Sequence, residues 1–346
     1  MTIFDMITSA EITAYWELMN QNEAPYLGET LFPDEQQTGL EISWIKGARG
    51  VPLVLKPSAY DVRAIPRKRI GFEKLTAEIP YFKESKYIDE TMRQELNKVL
   101  ATGIQAYIDI VTTKIFDDEL DLLRGARAQR ERMRMMALTT GVITIEGNGQ
   151  IYEYDYYVPE EHKAEVTKSW SDPTASILDD IRTAQDKVEE DTGVRPTNAV
   201  CNSGIMKYLR ANNEIKNSIA ILTDGEGFIS DSKIMAFISD ELGLTINVNT
   251  KTYKDEDETV QKFVEDDVFV LYPDGALGNT VFGITPEQSD LLTSNVANVS
   301  ITDTGVAVTT IKHADPVTVE TKVSMCCLPS FPMADQIFIY DTKQGS

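Results

Sequence analysis

"WIKGARGVPLVLKPSAYDVRAIPRKRIGF" (residues 44–72) contains three prolines and seven basic side chains in a chain of net charge −22. Strand-forming residues alternate with breaks at Gly47, Gly50, Pro52, Pro57 and Pro66, so the stretch reads as extended chain with no core of its own. It begins within "LEISWI" (residues 40–45), an alternating strand, and belongs to a two-armed excursion over residues 40–86. Arms of about 20 residues, at ~3.3 Å per residue, reach up to ~65 Å. A compact domain of this size has a smaller radius than that. Such an excursion is wasteful in a monomer and useful in a lattice.

The bounds set by composition agree with a globular protein. The chain has 346 residues, 42% hydrophobic and 25% charged, enough to bury a core in one large domain or two ordinary ones. The charge of −22 argues against a protein whose surface condenses on DNA or on an anionic membrane. Cys201, Cys326 and Cys327 make no disulfide framework and read as small buried hydrophobes. "MTIFDMITSAEITAYW" lacks a basic start and a long apolar run, so no signal peptide is expected. No stretch approaches the ~20 apolar residues of a membrane span.

Residues 1–39 read as an arm. Ser9 is placed to cap a short helix carrying Glu11, Ile12, Tyr15 and Trp16. Pro25, Gly28, Pro33 and Gly39 then interrupt regular structure, and Tyr26, Leu27, Leu31 and Phe32 need a surface to pack on, such as another subunit's. Residues 88–137 are helical. A first helix carries Ile88, Met92, Leu96, Val99 and Leu100, with breaks expected at Gly103 and at Thr112–Thr113. A second places Ile115, Glu119, Leu122, Leu123, Ala126, Met133 and Ala137 near one side, and its 23 residues make a rod of ~35 Å. Gln129 and Glu131 are expected to tolerate substitution. Gly147-Asn148-Gly149 marks a hairpin.

Helices and strands alternate beyond it. One helix is expected to start at Asp172 and stop at Gly193, and another to be capped by Asp231 and ended by Gly243. "TNAVCN", "LTINVNTKTY" and "DVFVLYP" read as strands. The last two flank an acidic connection, residues 254–267. "VTVETKVSMCCLPSFPMADQIFIYDT" gives a long strand, a proline-bracketed turn and a final strand.

Catalytic signatures are missing. His162 and His313 read as exposed loop histidines without the i, i+4 partner of a zinc helix. No Walker loop, GxGxxG or GxSxG is present. "DEDE" (Asp255, Glu256, Asp257, Glu258) lacks the glycine and spaced ligands of a calcium loop, so neither metal nor cofactor is expected. Arg127, Arg130 and Arg134 share a helical face, open to three readings: phosphates, a neighbour's carboxylates, or solvent.

The order of arm, extension, long helix, hairpin, α/β unit and returning strand resembles the major capsid proteins of tailed bacteriophages, which share the HK97-type fold. The chain is similar to the phage major capsid protein E family of lambda-like head proteins. The residues carrying this are "ITAYW" and "LFP" in the arm, "LEISWIKGARGVP", "IGFEKLTAEIPYFKES", "FDDELDLLRGARAQR", "DDVFVLYPDGALGNTVFG" and "CCLPSFPMADQIFIYDT". Together they span over 300 residues.

The resemblance implies an α+β HK97-type fold and five segments. These are an N-terminal arm (1–39), an extension loop (40–86), a peripheral domain with spine helix and hairpin (87–170), an axial domain (171–313), and a C-terminal return to the peripheral domain (314–346). It implies a structural, non-enzymatic protein that assembles in the host cytoplasm and resides in the virion. Its partners would be its own copies in hexamers and pentamers, a scaffolding protein, a portal, a decoration protein, and double-stranded DNA touched non-specifically, with no membrane. A removable scaffolding domain of the kind some relatives carry is not recognised at the start, so a separate scaffold or prior trimming is expected. Trp44 and Ile45 are candidate inter-subunit anchors. Arg63, Arg67, Lys68 and Arg69 would dock on an acidic neighbour, and Asp255 to Glu258 would form an acidic loop at the capsomer centre. An encapsulin-like nanocompartment shell is the alternative, and an enzyme built on the α/β region a third reading.

Overall fold

The computed structural model describes residues 8–21, 23–39, 41–46, 73–88, 90–147, 149–222, 229–294, 297–315 and 317–343. Two units gather these segments, and each is discontinuous in sequence. One comprises residues 1–42, 76–134 and 279–330, the other 43–75, 135–278 and 331–346.

The first unit is organised by the strand Val317–Pro329. One edge of it pairs antiparallel with Val306–Ala314, which pairs with Asn298–Thr302. The other edge is shared in succession. Val319–Cys326 pairs with Tyr81–Ile88, and Cys327–Pro329 with Thr280–Phe282. Asp34–Gln36 of the arm adds in parallel to Thr280–Phe282. Residues 317–322 alternate in burial, whereas 323–329 are buried throughout. The sequence says why: "VTVETK" alternates, while "VSMCCLP" is an apolar run suited to a strand covered on both faces.

The helix Glu90–Thr102 leads to one unbroken helix, Gln105–Thr140. Its 36 residues make a rod of ~54 Å, longer than the sequence pattern suggests. Gly103 breaks the chain with φ of 63°, a conformation that only glycine adopts without strain. Thr112 and Thr113 lie inside the helix; a β-branched residue costs only a few tenths of a kcal/mol there. Ile88 ends a strand and does not start a helix. Ile115, Leu120, Leu122, Leu123 and Met133 are buried. So are Glu119 and Glu131, and the latter therefore departs from the tolerance expected of it.

The second unit is an α/β layer. Its sheet runs in the order Lys163–Glu165, Phe338–Asp341, Val268–Tyr272, Asn198–Cys201, Thr245–Val248. The outer pairs are parallel and the inner two antiparallel. Helices Ile177–Thr192, Ser203–Ala211, Asn213–Leu222 and Asp231–Leu242 pack a core that includes Trp170, Ile181, Val188, Leu209, Ile238 and Phe269. Gly193 and Gly243 close two of these helices in the left-handed region. The expected hairpin forms from Val142–Gly147 and Gln150–Asp155.

Several boundaries differ from the sequence reading. The helix expected at Asp172 starts at Ile177, because the Asp172 carboxylate accepts from the Thr174 amide and hydroxyl and closes a turn instead. Ser230, not Asp231, caps Asp231–Leu242, and Thr8, not Ser9, caps the arm helix Ser9–Asn20 in a reciprocal pair with Glu11. Asn212 separates the helices Ser203–Ala211 and Asn213–Leu222. The compact units also divide differently from the expected segments 171–313 and 314–346. Residues 298–314 and 317–329 are successive strands of one sheet, and 338–341 belongs to the sheet of 198–201 and 268–272.

His162 is not an exposed loop residue. It is buried, stacks on Phe338 at 6.0 Å, and its Nε2 lies 3.0 Å from Asp191. His313 sits on a strand, 2.8 Å from Glu320.

The long helix should respond to substitution by face. Leu123→Ala is expected to lower stability by about 2–5 kcal/mol in urea unfolding. Lys114→Ala, on the exposed side, should stay within about 0.5 kcal/mol. Equal responses would show that the helix does not pack through the Leu123 side.

Candidate assembly site

Arg127, Arg130 and Arg134 rise along the long helix at spacings of three and four, and each meets the N-terminal arm or the sheet beside it. Arg127 donates to both carboxylate oxygens of Glu29, at 2.8 and 3.2 Å, to Glu23 at 2.8 Å and to Asn20 at 2.7 Å. Its guanidinium lies 4.9 Å from the centre of the Tyr26 ring. Arg130 donates to Asp303 at 2.5 Å and to Asp34 at 3.4 Å, over the Phe282 ring. Arg134 donates to Asp34 and, at 2.8 Å, to the Thr280 hydroxyl, which itself donates to the Phe32 carbonyl at 2.9 Å. Glu131 accepts from the Gly28 amide at 3.1 Å. Gly28 must be glycine here, since a Cβ would stand 2.3 Å from Glu131 Oε2 and 2.8 Å from the Arg134 side chain.

The three arginine side chains are 7%, 5% and 1% exposed, which excludes the solvated reading. Burial raises the Asp34 pKa in spite of Arg134 and Arg130 beside it, and burial lowers that of Arg134. Both partners thus register the cost of leaving water. Burial pulls Arg127 down as well, but Glu29 and Glu23 outweigh it and the net shift is upward. Paired buried charges add little net stability, yet breaking one pair leaves an uncompensated charge. The ladder therefore specifies where the arm lies. Leu31 and Phe32, expected to need a surface, find it within the same unit, as do Ile12 and Trp16.

The remaining candidates are placed as follows. Trp44 and Ile45 lie on the strand Glu41–Lys46, which pairs with Glu73–Glu78 as an isolated ribbon. Arg63, Arg67, Lys68 and Arg69 lie outside the described residues. Asp255 to Glu258 form the tip between the paired strands Thr252–Lys254 and Val260–Lys262. Asp255 holds that tip together: its carboxylate accepts from the Asp257 amide at 3.1 Å, the Thr259 amide at 2.8 Å and the Gln261 side chain at 2.9 Å. Glu256, Asp257 and Glu258 are exposed.

Among the described residues no group of His, Cys, Asp and Glu is arranged to hold a metal. Burial pushes the thiols of Cys201 and Cys327 up to about 12 and that of Cys326 to about 11, so none is a thiolate at neutral pH.

The family model of phage major capsid protein E matches residues 8–341. The chain belongs to this family. Its role is that of a structural head protein, not an enzyme, and its place is the virion. As a family member it carries the α+β, HK97-type capsid fold. A crystal structure of a prophage capsid protein from E. coli CFT073 superimposes with a TM-score of 0.58 at 17% identity, covering 97% of this chain and 99% of the other. A phage-related protein from Bordetella bronchiseptica RB50 gives 0.54 at 11% identity, with 97% of each chain covered. No curated protein matches the chain.

For this capsid protein, Arg134→Ala should destabilise the subunit by about 3–5 kcal/mol and hasten cleavage at Glu23 and Glu29 by a glutamate-specific protease. Arg134→Lys should restore only part of the protection, because an ammonium does not reproduce the planar fork. Unchanged cleavage in Arg134→Ala would mean that the ladder does not hold the arm.

Proposed function

We propose that copies of this chain close into an icosahedral shell of hexamers and pentamers around double-stranded DNA, with the segment 47–72 docking on an adjacent copy. The family match over residues 8–341 carries this reading. Charge supports the docking. Residues 47–72 hold six basic side chains and one acidic, a net of +5, which leaves −27 on the other residues of a chain of −22. A basic arm meeting an acidic neighbour gains attraction and register. Trp44 and Ile45, at the root of the arm, are the proposed apolar anchors, and Arg63, Arg67, Lys68 and Arg69 the proposed cations.

In this shell the α/β unit takes the axial role proposed for residues 171–313. The sheet and spine helix take the peripheral role proposed for 87–170 and 314–346. Contacts are repeated in every copy, at ~25 cal/mol per Å² of apolar area buried. Individually weak contacts allow errors to be corrected, and the closed lattice multiplies them. A scaffolding protein, a portal and a decoration protein are the proposed partners, with assembly in the host cytoplasm and non-specific DNA contact on one face. No described helix is long and apolar enough to cross a membrane. The acidic tip is proposed to lie toward the capsomer centre, where five or six copies would concentrate like charges.

Electron microscopy of the protein, co-expressed with its scaffold, should show closed shells or rings of five and six. A strictly monomeric species at high concentration, with scaffold present, would refute the reading. Trp44→Ala should weaken each contact by ~2 kcal/mol while the melting temperature of the free subunit holds. A sharp drop in that temperature would make Trp44 a core residue.

The tip has its own measurement. Salt and divalent cations should promote capsomer formation by screening the gathered carboxylates. Converting Glu256, Asp257 and Glu258 to amides, with Asp255 left to hold the turn, should flatten that dependence in light scattering. An unaltered dependence would leave the tip as a dispersed, solvated loop.

A further inference from the structure

Glu119 points from the long helix into the first unit, with 1% of its surface exposed. Among the described residues its Oε2 has no partner at full hydrogen-bond geometry. The sheet offers Thr321, paired across the strands with Thr310. Residues directly opposite share a face, both hydroxyls are buried, and that of Thr321 lies close enough to the Glu119 carboxyl to lower its pKa. Lys86 is on this face too, paired with Thr321 in register. Its ammonium is engaged elsewhere: it donates to the Asp118 carbonyl at 2.7 Å, to the Asp118 carboxylate at 3.0 Å and to Asp121 at 3.5 Å. A carboxyl group and two hydroxyls thus meet in a buried place whose cation serves other carboxylates.

The surrounding charges come from each packed element. The helix carries Asp117, Asp118 and Asp121, and Tyr15 of the arm helix donates to Asp117 at 3.1 Å. Glu11 and Glu17 of the arm helix are exposed. By register, Glu84 and Lys312 share the sheet face with Thr321, toward its exposed ends.

We infer that Glu119 is a proton-operated latch between the long helix and the sheet. Protonated, its carboxyl donates to the Thr321 or Thr310 hydroxyl and seats the helix on the sheet. Ionised, it draws water beneath the helix and loosens the segment around residues 112–122. This goes beyond shell formation, since it is a property of the single subunit.

Burial is the main cause that raises Glu119 from 4.5 to about 7; Thr321 and Lys86 oppose the rise and Asp118 adds to it. The folded chain then binds this proton more tightly than the unfolded chain does. The stabilisation is full below about 4.5 and is lost as pH rises through about 7.

The test compares urea unfolding of the full chain and of Glu119→Gln between pH 5 and pH 8.5. The ratio of their unfolding constants, wild type over variant, should rise roughly a hundredfold over this range. Hydrogen exchange in residues 112–122, corrected for intrinsic rates, should quicken with pH in wild type alone. A ratio that stays flat overturns the latch. Should Glu119→Gln fail to fold, carbon-13 labelling of the glutamate carboxyls in wild type decides. One carboxyl titrating near pH 7 supports the latch, and titration of every glutamate in the ordinary carboxylate range refutes it.

Discussion

A guanidinium withdrawn from water has to be met by hydrogen-bond acceptors, and three of them lie in a row on one helix. Arg127, Arg130 and Arg134 cannot be buried unless Glu23, Glu29, Asp34 and Asp303 are brought to them. That requirement fixes the course of the arm between residues 20 and 36 and seats Phe32 and Leu31 in the core. It places Asp34–Gln36 where they can extend the sheet beside Thr280–Phe282. It also explains Gly28, where the arm backbone comes too close to the helix for any side chain. The net energetic gain of such pairs is small, and their value lies in allowing one arrangement and excluding others.

A shell protein needs a rigid body and adjustable contacts, and the docking proposed for residues 47–72 would separate the two. Rigidity comes from apolar cores, one under each sheet, and from the arm held by its arginines. The basic stretch 47–72 lies in sequence between the paired strands Glu41–Lys46 and Glu73–Glu78, and its positive charge stands against a strongly negative remainder. Electrostatic attraction of this kind acts at a distance and weakens with salt, which suits contacts that must form, break and re-form before a lattice closes.

Much of this was legible in the sequence for a physical reason: elements defined by local pattern can be read locally. The hairpin around Gly147 and Gly149, the strand 317–329, the helix stops at Gly193 and Gly243 and the family resemblance all belong to that class. Glu119 already stood on the apolar side of its helix in the sequence pattern. Features that depend on distant partners were not legible. The arginine face admitted three readings because its carboxylates lie about 100 residues earlier or 170 later. His162 looked exposed because Asp191 and Phe338 are remote. Competition between nearby turn chemistry and helix start moved the boundary from Asp172 to Ile177. The grouping of strands into sheets was not legible locally, because one sheet joins residues 34–36 and 81–88 to 280–329 and the other joins 163–165 to 338–341.

That interleaving governs the order in which the subunit can fold. The arm strand Asp34–Gln36 pairs with residues some 246 positions later, at Thr280–Phe282. Those pair in turn with Cys327–Pro329, and Phe338–Asp341 completes the other sheet. Long-range pairings of this kind are slow to form, since loop closure precedes any contact that rewards it. On the ribosome, the first sheet stays incomplete until residue 329 has been made and the second until residue 341. Assembly-competent subunits therefore arise only after both of these strands have emerged. A copy truncated before residue 317 lacks Val317–Pro329 and cannot offer a finished surface to a growing lattice. Until then the exposed strand edges are open to misassociation, so the same topology that guards the lattice against incomplete copies makes the nascent chain a natural client for a chaperone.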